Sequence, residues 1–498
     1  MTAAFQYGKD KLTVELALKL GYNQIEGVIT EEVKNNIEES FKSVQSIAEG
    51  EKLVYSINTG FGSLCTTRIS KEETGHLQEN LLKSHSVGVG EPIDRELAKL
   101  MLILKIHTLC MGYSGISFKV IERLKWHIDN EIIPKVPRQG SVGASGDLAP
   151  LAHLFLPLIG LGSLSKKGEE YESTMSILEE YHFKPLKLRA KEGLALINGT
   201  QFICAFAVTI VDQFSKCLDH ADIIAAMSLE GYLGSPQPFR ERLIRLRPHP
   251  GAVRVAERFR KLLKDSEFVE SHKDCERVQD PYSFRCIPQV HGASRDALVH
   301  LKERLECELN SVTDNPIIVN QEAISGGNFH GQPLALPLDY ISLAASEIGS
   351  ISDRRTFLLL DGKWDLPAYL IEKSGLNSGF MITQYCSAAL ASENKTSCFP
   401  SSADSIPTSM GQEDHVSMGA FSARKALRII NNLEKILAIE LLCASQAFDF
   451  RRPLKSSRIL ERCHKVIREN IPHIKNDEVL SDHNRRIRPS TFEKSKTD

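Results

Sequence analysis

Hydrophobic residues recur at helical spacing along much of the chain. In one segment, Leu298, Leu301, Leu305, Leu309 and Val312 return every three or four positions, with charged residues between them. This period matches one face of an α-helix. We therefore predict an amphipathic helix across this segment.

Two further segments show the same period, while strand-like alternation is scarce. The stripe positions are Leu427, Ile430, Leu433, Leu437 and Leu441 in one segment, and Leu100, Leu104, Ile121, Leu124 and Ile128 in the other. The second segment is interrupted near Gly112 and Gly115, where we expect a break. Strand-like runs are short pieces such as Leu53–Ile57. The pattern therefore predicts a mainly α fold.

Glycine-rich loops separate the helical segments. They are 58–62, 86–90, 140–146, 193–199 and 325–331, and a segment rich in Pro and Ser follows at 399–409. Loops held by a rigid scaffold often carry binding and catalytic residues. Because the loops are denser in the first half, we predict an N-terminal domain at 1–200 and a helical domain at 201–498, ending in a polar tail from Asp482.

Composition narrows the classes of protein. Of 498 residues, 42% are hydrophobic and 25% are charged, which is typical of a soluble globular protein. The net charge is −2, so nothing favours a nucleic-acid partner. No run of about 18 apolar residues suggests a membrane span. The 11 Cys, an odd number without a C-x-x-C pair, favour a reducing compartment, and we expect the cytoplasm.

Several chemistries lack their sequence motif. The chain has no phosphate-binding loop, no dinucleotide-binding G-x-G-x-x-G after a strand and no H-E-x-x-H. A metal site using His330, Asp414 and His415 is an alternative, but this spacing matches no standard ligand set. We therefore expect no metal.

The most informative loop is 140–151, which reads GSVGASGDLAPL. On one interpretation its small residues form a tight turn and Asp147 caps the following helix. On another, the amide nitrogen of Gly146 attacks the carbonyl carbon of Ala144 and closes a five-membered ring, and Ser145 then loses water to leave a methylidene electrophile. Two waters leave in all, one from the attacked carbonyl and one from Ser145. The residues of this loop alone leave both interpretations open.

This loop resembles the signature of the aromatic amino acid ammonia-lyases, whose prosthetic group is methylidene-imidazolone (MIO). Seven more blocks resemble that family in the same order along the chain. They are 55–62, 84–90, 196–201, 279–286, 310–316, 325–331 and 412–418. Eight ordered blocks make a chance match very improbable.

The resemblance implies a fold, a cofactor and an assembly. The fold would be mainly α, a fumarase/aspartase-like bundle of long central helices with a loop-rich N-terminal domain that carries MIO. The group would form from Ala144, Ser145 and Gly146, so no exogenous cofactor is needed. The family assembles as homotetramers with active sites built from more than one subunit, and we expect the same here.

His85 and Glu413 resemble the residues of the histidine-specific branch of that family. An imidazole substrate needs hydrogen-bonding partners, whereas a phenyl ring needs an apolar wall. Taken alone, His85 would be an ordinary histidine beside a turn, and Glu413 an exposed carboxylate. A phenylalanine or tyrosine lyase, an MIO-dependent aminomutase and an inactive helical scaffold are the remaining alternatives.

The resemblance also assigns roles to single residues. Tyr55 would be the base that removes the β-proton, with Tyr282 as a positioner near MIO. The remaining contacts to substrate would come from Arg285 as carboxylate clamp, Asn198 and Phe329 as a pocket wall. Gln279 and Asn315 are weaker candidates for supporting contacts, and Gln412 would lie behind the residues that touch the substrate. The expected reaction is non-oxidative deamination of L-histidine to trans-urocanate and ammonia, the first step of histidine degradation.

Overall fold

The structure, a computed structural model, describes residues 4–51, 53–54, 57–62, 67–70, 73–275 and 277–486. Helices make up 59% of the structure, and the strands are two to four residues long. The predicted mainly α fold is therefore confirmed.

The helices and strands follow in chain order. The α-helices are α1 (Val14–Gly21), α2 (Glu31–Glu49), α3 (Thr74–His85), α4 (Arg95–Cys110), α5 (Phe118–Asp129), α6 (Leu148–Phe155), α7 (Thr174–Glu180), α8 (Glu192–Ile197), α9 (Gln201–Gly231), α10 (Glu241–Ile244), α11 (Pro250–Leu262), α12 (Glu267–Ser271), α13 (Tyr282–Arg285), α14 (Ile287–Leu309), α15 (Gln332–Leu359), α16 (Met381–Ser397), α17 (Gly419–Asp449), α18 (Arg458–Asn470) and α19 (Leu480–Arg486). The strands are β1 (Phe5–Gln6), β2 (Gly27–Val28), β3 (Val89–Pro92), β4 (Ile133–Pro134), β5 (Pro137–Gln139), β6 (Ser163–Ser165), β7 (Glu172–Ser173), β8 (Ile317–Val319) and β9 (Glu322–Ile324).

The predicted helical stripes correspond to real helices. In α14, Leu301, Leu305 and Leu309 are buried, but the helix ends at Leu309, so the prediction ran too far when it included Val312. In α17 the stripe from Ile430 to Leu441 is buried. The glycines placed in the predicted break do separate α4 from α5, because both adopt left-handed backbone angles that favour glycine.

The strand-like piece 53–57 does not form a strand in its described residues. Leu53 and Val54 have no regular structure, and Ile57 lies in a turn. Tyr55 and Ser56 lie outside the described residues. Of the predicted tail, residues 482–486 belong to α19, and 487–498 also lie outside the described residues.

The chain divides into two compact units. Unit 1 contains residues 1–209, 302–338 and 400–424, and unit 2 contains residues 210–301, 339–399 and 425–498. The division falls inside the long helices α9, α14, α15 and α17. The predicted domain boundary at residue 200 stays a prediction.

Unit 1 combines short helices with small sheets. Strand β1 pairs with β2 in parallel, and β3 pairs with β5 in antiparallel orientation. Strand β6 lies between β4 and β7, and β8 and β9 form an antiparallel pair. The predicted loops 58–62, 140–146 and 325–331 do run between these elements. The prediction was wrong for most of 193–199, because residues 193–197 belong to α8, and residues 89 and 90 of the predicted loop 86–90 belong to β3.

Unit 2 holds a charged network in its helical interior. Nε and Nη2 of Arg355, on α15, donate to Oε1 and Oε2 of Glu440, on α17, at 2.6 and 2.9 Å. Ser228 of α9 and Ser352 of α15 donate to the same carboxylate. Nη1 of Arg355 also lies 3.4 Å from Nε2 of His291, on α14. All five side chains are fully buried, so the charges of Arg355 and Glu440 are compensated by each other and by these hydrogen bonds.

Helix α9 has the length and apolar content of a membrane span. Of the 18 consecutive residues of α9 that are most apolar, 72% are buried inside the protein. The core helix of a soluble protein has the same properties, so α9 gives little support to a membrane span.

Candidate active site

The segment that resembles the MIO signature forms a sharp turn between β5 and α6. Ser145 has a φ of +50° and Gly146 a φ of +81°, both in the left-handed region. Gly146 forms a bridge with Gly199, and a Cβ added to Gly146 would lie 2.2 Å from the carbonyl oxygen of Gly199. Only glycine fits at this position, as the proposed cyclisation through its amide nitrogen requires.

Asp147 follows the turn and is fully buried. Its Oδ2 accepts a hydrogen bond from the backbone N–H of Ile203 at 3.0 Å, in the first turn of α9. On one of the two interpretations of this loop Asp147 would cap the following helix, and that part is wrong, because its side chain makes no capping hydrogen bond to α6. Burial raises the pKa of Asp147 to about 7, against the opposing effect of the donors on α9.

A cavity of about 450 Å³ opens beside this turn in unit 1. Its lining residues come from segments that are distant in sequence. They include Phe61, Leu81, His85, Ser145, Leu148, Leu194, Asn198, Ser409 and Glu413. Four predicted site residues, His85, Ser145, Asn198 and Glu413, are therefore brought together around one space.

His85 is the last residue of α3 and is half-buried at the cavity wall. Its Nδ1 lies 3.0 Å from the hydroxyl of Ser84. Burial lowers the pKa of His85 below its ordinary value of 6.5, although the charge of Glu413 acts in the opposite direction. A neutral imidazole at pH 7 can both donate and accept hydrogen bonds.

Glu413 is fixed by two hydroxyl groups that precede it in the chain. Thr408 Oγ1 and Ser409 Oγ donate to its Oε2 at 2.9 and 2.7 Å. The backbone N–H of Thr408 also donates to the carbonyl oxygen of Glu413 at 2.9 Å. Thr408 and Ser409 were not predicted as site residues, although both lie in the Pro- and Ser-rich segment 399–409.

Asn198 caps the C-terminal end of α8 and is buried. Its Nδ2 donates to the carbonyl oxygen of Asn315 at 2.7 Å and to Oδ1 of Asp314 at 3.2 Å. Its own carbonyl oxygen accepts from Nζ of Lys105. Among the described residues, nothing donates to its Oδ1. Lys105 is not among the predicted site residues, although a lysine inside the apolar helix α4 is unusual.

Three other candidates, Phe329, Asn315 and Gln412, belong to unit 1. Phe329 is half-buried in the turn before α15 and is not among the residues that line the cavity. Asn315 accepts a hydrogen bond from the backbone N–H of Gly326 at 2.8 Å through its Oδ1. Gln412 is exposed. Tyr55, the predicted base, lies outside the described residues.

The remaining candidates belong to unit 2. Arg285 and Gln279 line another cavity of about 820 Å³, formed within that unit. Tyr282 is 69% exposed, and the guanidinium of Arg285 lies 4.3 Å from the centre of its ring. These three residues do not line the cavity that contains Ser145.

The residues proposed for the alternative metal site are arranged differently from a ligand set. The rings of His330 and His415 stack at 6.0 Å, and His330 Nε2 lies 3.3 Å from the carbonyl oxygen of His415. Within the described ranges, no group of three or more His, Cys, Asp or Glu residues could hold a metal ion.

The chain is similar to known proteins over most of its length. The family described as "Aromatic amino acid lyase" matches residues 12–469. The histidine ammonia-lyase of Natranaerobius thermophilus is 46% identical over 474 residues, which cover 93% of each chain. The human histidine ammonia-lyase is 44% identical and covers 94% of this chain and 72% of its own.

Solved structures show the same similarity over nearly the whole chain. The histidine ammonia-lyase of Trypanosoma cruzi has a TM-score of 0.90 at 39% identity, covering 99% of this chain and 94% of its own. The tyrosine aminomutase of Streptomyces globisporus has a TM-score of 0.92 at 32% identity, covering 99% and 97%. The fold is therefore shared by enzymes of different specificity, and specificity has to be argued from the site.

Proposed function

Because this chain belongs to the aromatic amino acid lyase family, we propose that it is a histidine ammonia-lyase, which converts L-histidine to trans-urocanate and ammonia. The relatives of that name, 43–47% identical, support this function. One structural observation carries it: His85 and Glu413 line the same cavity as Ser145. An acceptor and a neutral imidazole beside the reactive turn suit an imidazole substrate better than a phenyl ring.

The prosthetic group proposed for this reaction is MIO, formed from Ala144, Ser145 and Gly146. The left-handed turn and the space that admits only glycine at 146 fit such a ring. When formed, MIO supplies the electrophile that makes the amino group a better leaving group. No exogenous cofactor is part of the proposal.

In this proposal His85 and Glu413 bind the substrate imidazole. Among the described residues, both hydroxyl donors to Glu413 reach Oε2, so Oε1 is left to accept from a ring N–H. Neutral His85 forms the second contact to the ring. Two directional contacts orient the imidazole and hold the β-carbon in a defined position.

The remaining roles are proposed from the family resemblance. Tyr55 accepts the β-proton as general base, and Tyr282 positions the substrate near the electrophile. Arg285 binds the substrate carboxylate, for which a guanidinium is well shaped. Gln279 supports that contact, Asn198 binds beside the electrophile and Phe329 shields it.

We propose a homotetramer in which a neighbouring subunit supplies Tyr282, Arg285 and Gln279 to the cavity. Large apolar side chains of unit 2 support an assembly, because Leu343 on α15 and Ile382 and Tyr385 on α16 are more than half exposed. The proposed location is the cytoplasm, where cysteines remain reduced. Ten described cysteines are free.

The proposed function is tested by incubating the purified protein with L-histidine, L-phenylalanine and L-tyrosine in parallel. We expect near-UV absorbance to rise with L-histidine alone, because urocanate is conjugated. Ser145→Ala should abolish the rise, whereas Ser173→Ala, an exposed serine that makes no capping hydrogen bond, should retain it. A rise with phenylalanine or tyrosine alone would contradict the proposed specificity, and full activity in Ser145→Ala would contradict the proposed prosthetic group.

A further inference from the structure

A cluster of buried charges lies behind Asn198 in unit 1. Lys105, Lys191 and Asp314 are at most 2% exposed. Nζ of Lys191 donates to Oδ2 of Asp314 at 2.5 Å and to the carbonyl oxygen of Ser114 at 3.0 Å. Burying three charged groups is costly, so such clusters are weak evidence for stability and can instead fix a specific arrangement.

Asp314 determines which way the amide of Asn198 points. Its Oδ1 accepts from Nδ2 of Asn198 and from the backbone N–H of Asn315 at 2.7 Å. The carbonyl oxygen of Asn315 is a second acceptor for the same Nδ2. Two acceptors on this side would repel the amide oxygen, so the NH₂ group must face them.

Lys105 holds the main chain of the same residue. Its Nζ, on α4, donates to the carbonyl oxygen of Asn198. Burial lowers the pKa of Lys105 to about 7; Lys191 acts in the same direction, while Asp314 and Asp147 act against it. Asn198 is therefore held at its backbone by Lys105 and at its side chain by Asp314.

This arrangement leaves one polar atom of Asn198 without a described partner. Its Oδ1 is buried, and Asn198 lines the cavity. A buried acceptor without a donor is costly, so a donor group of a ligand would bind there favourably. On the proposed substrate, the α-ammonium group is such a donor.

We propose that Lys105, Lys191 and Asp314 are positioning residues that fix the Asn198 amide so that its oxygen, and not its NH₂ group, receives the α-ammonium group of the amino acid. This inference rests on the proposed function, because it takes an amino acid as the ligand. If Asn198 is held in this way, the site should bind a ligand that carries an amine more tightly than an otherwise identical ligand that lacks it.

The test compares two ligands that differ in the amine. Binding of L-histidine and of 3-(imidazol-4-yl)propionate is measured by calorimetry, with all variants made in a Ser145→Ala protein so that no turnover occurs. We expect the parent to prefer L-histidine by about tenfold, because the amine gains a charge-assisted hydrogen bond. Asp314→Asn and Lys105→Met should each remove most of that preference while binding of the propionate changes less than about twofold.

The matched control is Lys99→Met. Lys99 is also buried on α4, but it pairs with Glu131 and Asn23, away from Asn198. This variant should keep the preference for L-histidine. If either Asp314→Asn or Lys105→Met does not fold, the other variant carries the test.

The inference is overturned if the parent shows no preference, if the folded variants keep it, or if both ligands weaken equally, as general damage would cause. Failure of the proposed function is seen separately, as absence of L-histidine turnover in the wild-type protein. Lack of binding of either ligand to the parent would overturn both.

Discussion

At the scale of single residues, the surroundings decide what each candidate can do. His85 and Glu413 are ordinary residue types, and without the surrounding sequence blocks neither would be a candidate. In the structure, burial keeps His85 neutral at pH 7, and two hydroxyl donors fix one oxygen of Glu413. The burial of His85 depends on residues that are distant in sequence, and the donors to Glu413 reach it only through the conformation of their loop. Neither property could therefore be predicted from the sequence.

The coupling between these two residues predicts a titration. Because the negative charge of Glu413 raises the pKa of His85 against the effect of burial, Glu413→Gln should lower that pKa further. The measurement is an NMR titration of the His85 ring, assigned by its loss in His85→Asn. Glu79→Gln on the same helix should leave the titration unchanged. An unchanged or raised pKa in Glu413→Gln would contradict the coupling.

The turn at Gly146 predicts a strict requirement for glycine. An added Cβ would lie 2.2 Å from the carbonyl oxygen of Gly199, so Gly146→Ala must displace the turn. We expect activity to fall by at least roughly 100-fold, since a displacement of about 1 Å can cost that much. The peptide that contains Ala144–Gly146 should also lack the mass deficit of two waters that the proposed cyclisation gives.

Gly168→Ala is the matched control for this prediction. Gly168 has a similar φ of +80°, but an added Cβ would meet nothing within 4 Å. This variant should keep both the activity and the mass deficit. Similar losses in the two variants would show that backbone strain, and not the contact with Gly199, is responsible.

At the scale of elements, the spacing of the hydrophobic residues predicted the helices but not where they end. The stripe in α14 was correct up to Leu309, yet period alone could not show that Val312 lies beyond the helix. On one interpretation of the loop Asp147 would cap the helix that follows it, but its carboxylate accepts a hydrogen bond from α9 instead. Such contacts depend on tertiary packing, which a local pattern does not contain.

The buried network of unit 2 predicts a large loss of stability when its ion pair between Arg355 and Glu440 is broken. Arg355→Met removes the partner of the fully buried Glu440. We expect the free energy of unfolding to fall by about 3–5 kcal/mol. The exposed pair of Arg245 and Glu241 is the control, and Arg245→Met should change stability by less than about 1 kcal/mol. Urea unfolding at fixed protein concentration measures both variants. Equal losses of stability in Arg355→Met and Arg245→Met would contradict the explanation that burial makes the loss of Arg355 costly.

At the scale of the whole molecule, the candidate residues are distributed over two units. The cavity of unit 1 contains Ser145, His85 and Glu413, whereas Tyr282 and Arg285 belong to unit 2. Ordered blocks in the sequence predicted both groups as site residues, but a linear sequence does not say which subunit supplies which residue. The proposed shared site therefore depends on assembly.

Shared sites predict complementation between inactive variants. Ser145→Ala and Arg285→Met proteins should each be inactive, yet dissociating and reassociating a mixture should restore about a quarter of wild-type activity, because random assembly pairs intact halves of the site. Mixing without dissociation is the control and should restore none. Failure of a properly reassembled mixture to regain activity would show that one chain supplies the whole site.

The reaction proposed for this protein is the elimination of ammonia from L-histidine. The most direct measurement follows one reaction by NMR for trans-urocanate and by an independent assay for ammonia. We predict that both products form in equal amounts as L-histidine disappears. Conversion of L-histidine to a β-amino acid without release of ammonia, as an aminomutase would give, or no conversion at all, would contradict the proposed reaction.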